Sequence, residues 1–165
     1  MKLLLDTHIL LWSLENNSLL KQQHKNLLQD SRYEKWISFF SFMEIAIKVN
    51  IGKLKLNTSL EELIRITGQN GFNILPVKEI HINKFVSLPL FEEHKDPFDR
   101  FIIASAIVEE MSILTVDKKF DLYSSIVKIH PVYVFFFRPF VNLSPLPQTP
   151  KAPHYLCASY EGTYS

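Results

Sequence analysis

Two aspartates follow short apolar runs: Asp6 closes Leu3-Leu4-Leu5, and Asp117 closes Ile113-Leu114-Thr115-Val116. Runs of this kind, without polar alternation, mark strands buried on both faces of a parallel sheet. Strands of such a sheet point the same way, so both carboxylates belong at one edge, where α/β sheets place their ligands. Glu44 follows another strand-like segment, Trp36 to Phe40, and falls in the first turn of the helix expected after it, on that same edge. Asp99 lies in the first turn of a helix opened by Asp96-Pro97, a capping aspartate with proline at the first helical position. Some twenty residues separate that helix from the strand before it, so the pattern alone does not fix Asp99 at the edge.

Carboxylates that converge repel one another and take up protons unless a cation compensates them. Magnesium or manganese fits, because each prefers oxygen ligands, needs only one or two carboxylates directly and keeps several waters. Such a metal acidifies a bound water and stabilises charge on a phosphoryl oxygen, so the natural reaction is in-line hydrolysis of a phosphodiester.

Ordinary roles compete at every position. Ser41-x-x-Glu44 has the spacing of a capping box, and Asp99 stands three residues after Asp96, as a first-turn acid does. Asp6 and Asp117 are equally at home as turn residues. The four together, rather than any one, point to chemistry. Asp6 and Asp99 are expected to touch metal most directly, with Glu44 and Asp117 holding metal or orienting the attacking water.

Around them, Thr7 has a hydroxyl for a phosphate or a metal water, or for a helix cap. Asp96 could support the ligands from behind. Arg100 could contact phosphate or pair with a neighbouring acid. His8 and His94 lack the paired spacing of a zinc site and read as structural or peripheral. Trp12, Trp36 and Phe39 read as core rather than base-stacking platforms. Lys48, Lys53 and Lys55 form a modest basic cluster that reads as a solvated helix face.

The elements needed to hold this edge are legible. Strands are expected at 3–5, 36–40, 73–77, 113–116 and 126–129, with helices at 9–14, 18–29, 41–51, 59–67, 80–86 and from 97. Strands alternating with helices imply an α/β fold with a parallel sheet of about five strands between helical layers. Residues 1–130 form this domain. Residues 131–165 hold six of the nine prolines and a single acid, Glu161, and read as a Pro-rich C-terminal extension without a domain assignment. Within it, Val132 to Phe137 is apolar enough for an edge strand.

The 165 residues carry a net charge of only +1, so no global basic field advertises nucleic-acid binding. A lone cysteine, Cys157, can form neither an internal disulfide nor a thiolate metal site. No signal-peptide or membrane-spanning pattern is present, which leads to the expectation of a cytoplasmic protein without a membrane partner.

The chain resembles PIN-domain proteins, in particular the VapC-type toxins of bacterial toxin–antitoxin pairs. The matching segments are Leu3-Leu4-Leu5-Asp6-Thr7-His8, Ser41-Phe42-Met43-Glu44-Ile45, His94-Lys95-Asp96-Pro97-Phe98-Asp99-Arg100 and Leu114-Thr115-Val116-Asp117. The resemblance covers residues 1 to about 130; the C-terminal stretch departs from it. It implies a PIN-like three-layer α/β/α fold with Asp6, Glu44, Asp99 and Asp117 as the metal site. It also implies a Mg²⁺- or Mn²⁺-dependent endoribonuclease, typically a homodimer restrained by a small cognate antitoxin. The alternatives are a non-catalytic protein of the same fold that binds RNA or a partner, and a DNA-directed nuclease.

Overall fold

The computed structural model describes residues 1–131. Its strands are β1 (Lys2–Leu5), β2 (Glu34–Ser38), β3 (Asn73–Leu75), β4 (Ser112–Thr115) and β5 (Ile129–Pro131). Its helices are α1 (Thr7–Leu14), α2 (Gln22–Gln29), α3 (Phe39–Asn50), α4 (Leu60–Gln69), α5 (Glu79–Ser87) and α6 (Pro97–Val108), followed by a 3₁₀ helix at Lys118–Tyr123. The strands form one sheet in the order β3-β2-β1-β4-β5, and every pairing is parallel.

β1 is the central strand, and its composition follows from that. Leu3 and Leu5 pack on one face with residues of α1, α3 and α4, while Leu4 packs on the other with residues of α6 and the 3₁₀ helix. All three leucines are fully buried, so no polar alternation is tolerated. Each contributes roughly 1.5–3 kcal/mol by leaving water. α6 is buried along most of its length, from Arg100 to Ala106, which explains its apolar sequence.

The α3 start differs from expectation. Ser38, not Ser41, caps it, accepting a hydrogen bond from the Phe40 amide at 3.2 Å. Phe39 and Phe40 therefore form the first helical turn rather than the end of β2, and the Ser41-x-x-Glu44 capping box does not exist. Aromatic propensity for strand is overridden by the cap. At the far end, Gly52 supplies the left-handed backbone (φ 72°) just past α3. α2 begins at Gln22 rather than Ser18; its start is held by the Lys21 amide donating to Nδ1 of the buried His24. β5 also starts later than expected. The Ile126 and Val127 amides both donate to the Tyr123 carbonyl, which closes a turn where strand was expected. β5 ends in proline, which an edge strand accepts. The expected strand at Val132 to Phe137 lies outside the described residues. Among the described residues no helix is long and apolar enough to cross a membrane.

Candidate active site

Asp6 stands where β1 becomes α1. Its amide still belongs to the sheet, donating to the Leu114 carbonyl at 3.0 Å, while its side chain caps α1 by accepting from the His8 amide at 3.4 Å. Its second oxygen accepts the Thr115 hydroxyl at 2.8 Å. The residue is almost wholly buried. Burial pushes its acidity down, but the His8 ring, the Thr115 hydroxyl and the His8 amide outweigh it, holding the carboxyl below its ordinary range. In return, Asp6 raises the pKa of His8, whose Nδ1 lies 3.7 Å away.

Glu44 sits in the second turn of α3, also buried. Thr7, the residue after Asp6, donates its hydroxyl to Glu44 Oε2 at 2.6 Å, and the Lys48 ammonium pairs with Oε1 one turn further on. Thr7 is thus neither a phosphate contact nor the α1 cap in this structure; it ties Glu44 to the Asp6 corner. Lys48 likewise leaves the expected solvated face and serves Glu44.

Asp99, in the first turn of α6, bonds His94 Nε2 at 2.9 Å. Burial lifts its pKa to about 6; the His94 hydrogen bond opposes this, and the negative charges of Asp6 and Asp96 add to it. Asp99 therefore feels Asp6 through a shared, poorly solvated region. The segment between β3 and α6, which includes α5, had hidden this coupling from pattern reasoning. Asp96 caps α6, accepting from the Phe98 and Asp99 amides at 2.8 and 3.4 Å.

Asp117 is more open. It caps the 3₁₀ helix by accepting from the Lys119 amide at 2.8 Å, and its own amide donates to Thr115 Oγ1 at 3.0 Å. Thr115, buried at the end of β4, consequently touches both the Asp6 side chain and the Asp117 backbone. Asp6, Glu44 and Asp117 are linked by short relays through Thr7 and Thr115, whereas the Asp99 side chain bonds His94. Even so, among the described residues no group of three or more His, Cys, Asp or Glu side chains converges closely enough to hold a metal ion by itself.

Arg100 does not face the site. Its guanidinium donates to the Pro89 carbonyl at 2.6 Å, to the Tyr123 hydroxyl at 2.9 Å and to the Leu88 carbonyl at 3.5 Å, and it lies over the Phe85 ring. Neither expected role, phosphate contact or salt bridge, survives; the long loop before α6 needed an internal donor for its carbonyls. Arg100→Leu should leave the Leu88 carbonyl without this donor and the Pro89 carbonyl with the Tyr123 hydroxyl alone, and cost about 1–3 kcal/mol in urea denaturation. A loss under about 0.5 kcal/mol would show that the clamp contributes little.

Sequence reasoning gave Thr115 no role, read His94 as structural or peripheral and put Lys48 on a solvated helix face. The available signals were their offsets: two residues before Asp117, five before Asp99 and one helical turn after Glu44. Phe39 was expected in the core but is half exposed. A groove of about 600 Å³ between α3 and α4, lined by residues including Ala46, Asn50, Leu54 and Thr58, contains no carboxylate and lies at the other end of α3 from its cap.

A parallel sheet with acids gathered at its carboxyl edge defines an α/β domain of the class that binds ligands there. The chain belongs to the PIN domain family, whose model matches residues 3–125. No curated protein sequence matches it significantly. Its fold is similar to that of VapBC2 from Rickettsia felis bound to a promoter DNA fragment (TM-score 0.54, 16% identity, covering 79% of this chain and 98% of that one). A toxin–antitoxin complex from Klebsiella pneumoniae (0.53, 20%, 79% and 97%) is similar to the same degree. So is VapBC-1 from nontypeable Haemophilus influenzae (0.52, 18%, 79% and 98%).

Proposed function

We propose that this PIN-domain protein is a metal-dependent endoribonuclease and the toxin of a toxin–antitoxin pair. What carries the reading is a pair of poorly solvated carboxylates: Asp6, buried at the end of β1, and Asp99, whose pKa burial lifts to about 6 with a smaller contribution from the Asp6 charge. Buried like charges invite a counter-charge, and the donors here are all oxygen, which suits Mg²⁺ or Mn²⁺. A ready-made cluster of three donors is not needed, since these ions keep much of their water. Asp6 and Asp99 would hold the ion, and when bound it would supply an acidified water and stabilisation of charge on the phosphoryl group. Glu44, fixed by Thr7 and Lys48, and Asp117, at the open side, hold or orient the attacking water. Thr115 fixes the rotation of the Asp6 carboxylate and the path of the Asp117 backbone together.

PIN domains are generally nucleases, and the similar structures are toxin–antitoxin complexes, which supports a small antitoxin as partner. A homodimer, an RNA substrate and a cytoplasmic setting belong to the same proposal. A second reading, a non-catalytic scaffold, is favoured by one observation: Lys48 already neutralises Glu44. Single-stranded RNA and DNA of one sequence, each offered with Mg²⁺, Mn²⁺ or EDTA, separate the readings. The proposal expects RNA cleavage with either metal and none in EDTA. Cleavage of neither strand would favour the scaffold, and preferential cleavage of DNA would replace the substrate.

Thr115→Val tests the relay. It leaves the Asp117 amide and Asp6 Oδ2 without this partner, so cleavage should fall about tenfold or more, the scale for losing a ligand's hydrogen-bond support. Thr115→Ser should recover most of it. Equal rates for valine and threonine would remove Thr115 from the account.

A further inference from the structure

His94 is fully buried, five residues before Asp99, and its ring is clamped. The ring centroid lies 5.3 Å from that of Phe120 and 5.7 Å from that of Tyr123, both of which are completely buried. Its amide donates to the Phe91 carbonyl at 3.1 Å, and Phe91 packs edge-on against Tyr123 at 5.0 Å. The ring therefore has one orientation, and that orientation aims Nε2 at Asp99 Oδ2, 2.9 Å away.

The other ring nitrogen settles what the imidazole is for. Nδ1 is buried without a hydrogen-bond partner among the described residues. A proton there would be an orphaned buried donor, costing about 1–3 kcal/mol, whereas a bare lone pair costs less. The fitting tautomer has its proton on Nε2, donated to the Asp99 carboxylate. A purely structural ring at this position has no use for a nitrogen that goes unmatched, since phenylalanine would fill the same aromatic pocket without it. The polar edge is accounted for by the one bond it makes.

We propose that His94 is a positioning residue for the metal site, whose Nε2–H fixes the plane of the Asp99 carboxylate toward the cation shared with Asp6. This rests on the carboxylate-site reading above. Without the donor, a first-turn aspartate on α6 can rotate, and the two-carboxylate site loses its preset geometry. Hydrogen-bonding partners of metal ligands typically contribute about 10–100-fold to metal affinity.

The test pairs two substitutions. His94→Phe keeps the packing on Phe120 and Tyr123 and removes the donor; His94→Gln restores an N–H near the position of Nε2. Manganese affinity, followed by the loss of the free Mn²⁺ electron paramagnetic resonance signal, should weaken about tenfold or more in His94→Phe and largely recover in His94→Gln. Cleavage should lose kcat with little change in KM for RNA. On the native protein, ¹⁵N NMR of the imidazole should find the proton on Nε2 and none on Nδ1. Native-like Mn²⁺ affinity in His94→Phe, alongside lost affinity in Asp6→Asn and Asp99→Asn, would overturn this role while leaving the metal site standing. Native affinity in all three variants would overturn the metal reading and this role with it. If His94→Phe does not melt cooperatively in EDTA, the NMR measurement decides: an Nε2 without a proton overturns the role.

Discussion

Asp6→Asn is expected to abolish metal-dependent RNA cleavage, by a factor on the order of 10³ or more, the scale of removing a central catalytic group. The fold should survive. Asparagine keeps an oxygen to accept the His8 amide and cap α1, a position where asparagine is as good as aspartate. What it loses is the charge, together with the acceptor of the Thr115 hydroxyl. Asp6 is a buried carboxylate held ionised by the His8 ring, the Thr115 hydroxyl and the His8 amide against the pull of burial. A charge kept at such a position without a full counter-charge is a feature of function rather than of folding. Circular dichroism and a melting curve establish the fold, and a gel assay with single-stranded RNA in Mg²⁺ measures the loss. Cleavage at the native rate by a folded Asp6→Asn protein would end the nuclease account.

Asp99→Asn is expected to separate activity from stability. A carboxyl whose folded-state pKa is raised stabilises the fold only while protonated. That contribution is present below the unfolded value, near 3.8, and lost as pH rises through about 6. At pH 7.5 without metal, the ionised Asp99 therefore opposes folding. Asparagine removes the charge and can still accept from His94 through its amide oxygen. In EDTA at pH 7.5 the variant should be more stable by about 1–3 kcal/mol, scaled from the size of the shift, which raises Tm on the order of 5 °C. At pH 4.5 the gap should narrow, because native Asp99 is then mostly protonated. Saturating Mn²⁺ should stabilise the native protein and not the variant, which should no longer cleave RNA. A variant that melts below the native protein in EDTA at pH 7.5 would contradict the penalty that burial, with the nearby Asp6 and Asp96 charges, places on ionised Asp99.

The fold was largely legible because its strands are short, continuous apolar runs. Leu3 to Leu5 and Ile113 to Thr115 cannot be anything but buried, and the alternation with helices leaves few arrangements other than a parallel sheet. Boundaries were less legible where a local hydrogen bond competed with propensity. Ser38 captured the Phe40 amide and started α3 early, and the Tyr123 carbonyl captured two amides and delayed β5. The site followed the same division. Asp6 and Asp117 could be placed from strand ends, and Asp6 is joined to the Asp117 backbone by Thr115. Glu44 was placed by the strand-to-helix order, one turn too near the helix start, since Ser38 opens α3 and the competing capping box does not form. Asp99 needed the tertiary structure, because nothing in its spacing shows that the Asp6 charge reaches it. The supporting residues were least visible. A threonine, a lysine and a histidine are ordinary residues until their partners are known, and Arg100 looked available only because its carbonyl partners are distant in sequence.

The central claim is that Asp6 and Asp99 share a divalent cation. A crystal of the native protein soaked in MnCl₂ and measured near the manganese absorption edge tests it most directly. One anomalous peak is expected at coordination distance, about 2.0–2.4 Å, from a carboxylate oxygen of each residue, with waters completing the shell on the side of Glu44 and Asp117. A well-occupied manganese peak elsewhere on the domain, with none touching Asp6 or Asp99, would contradict it.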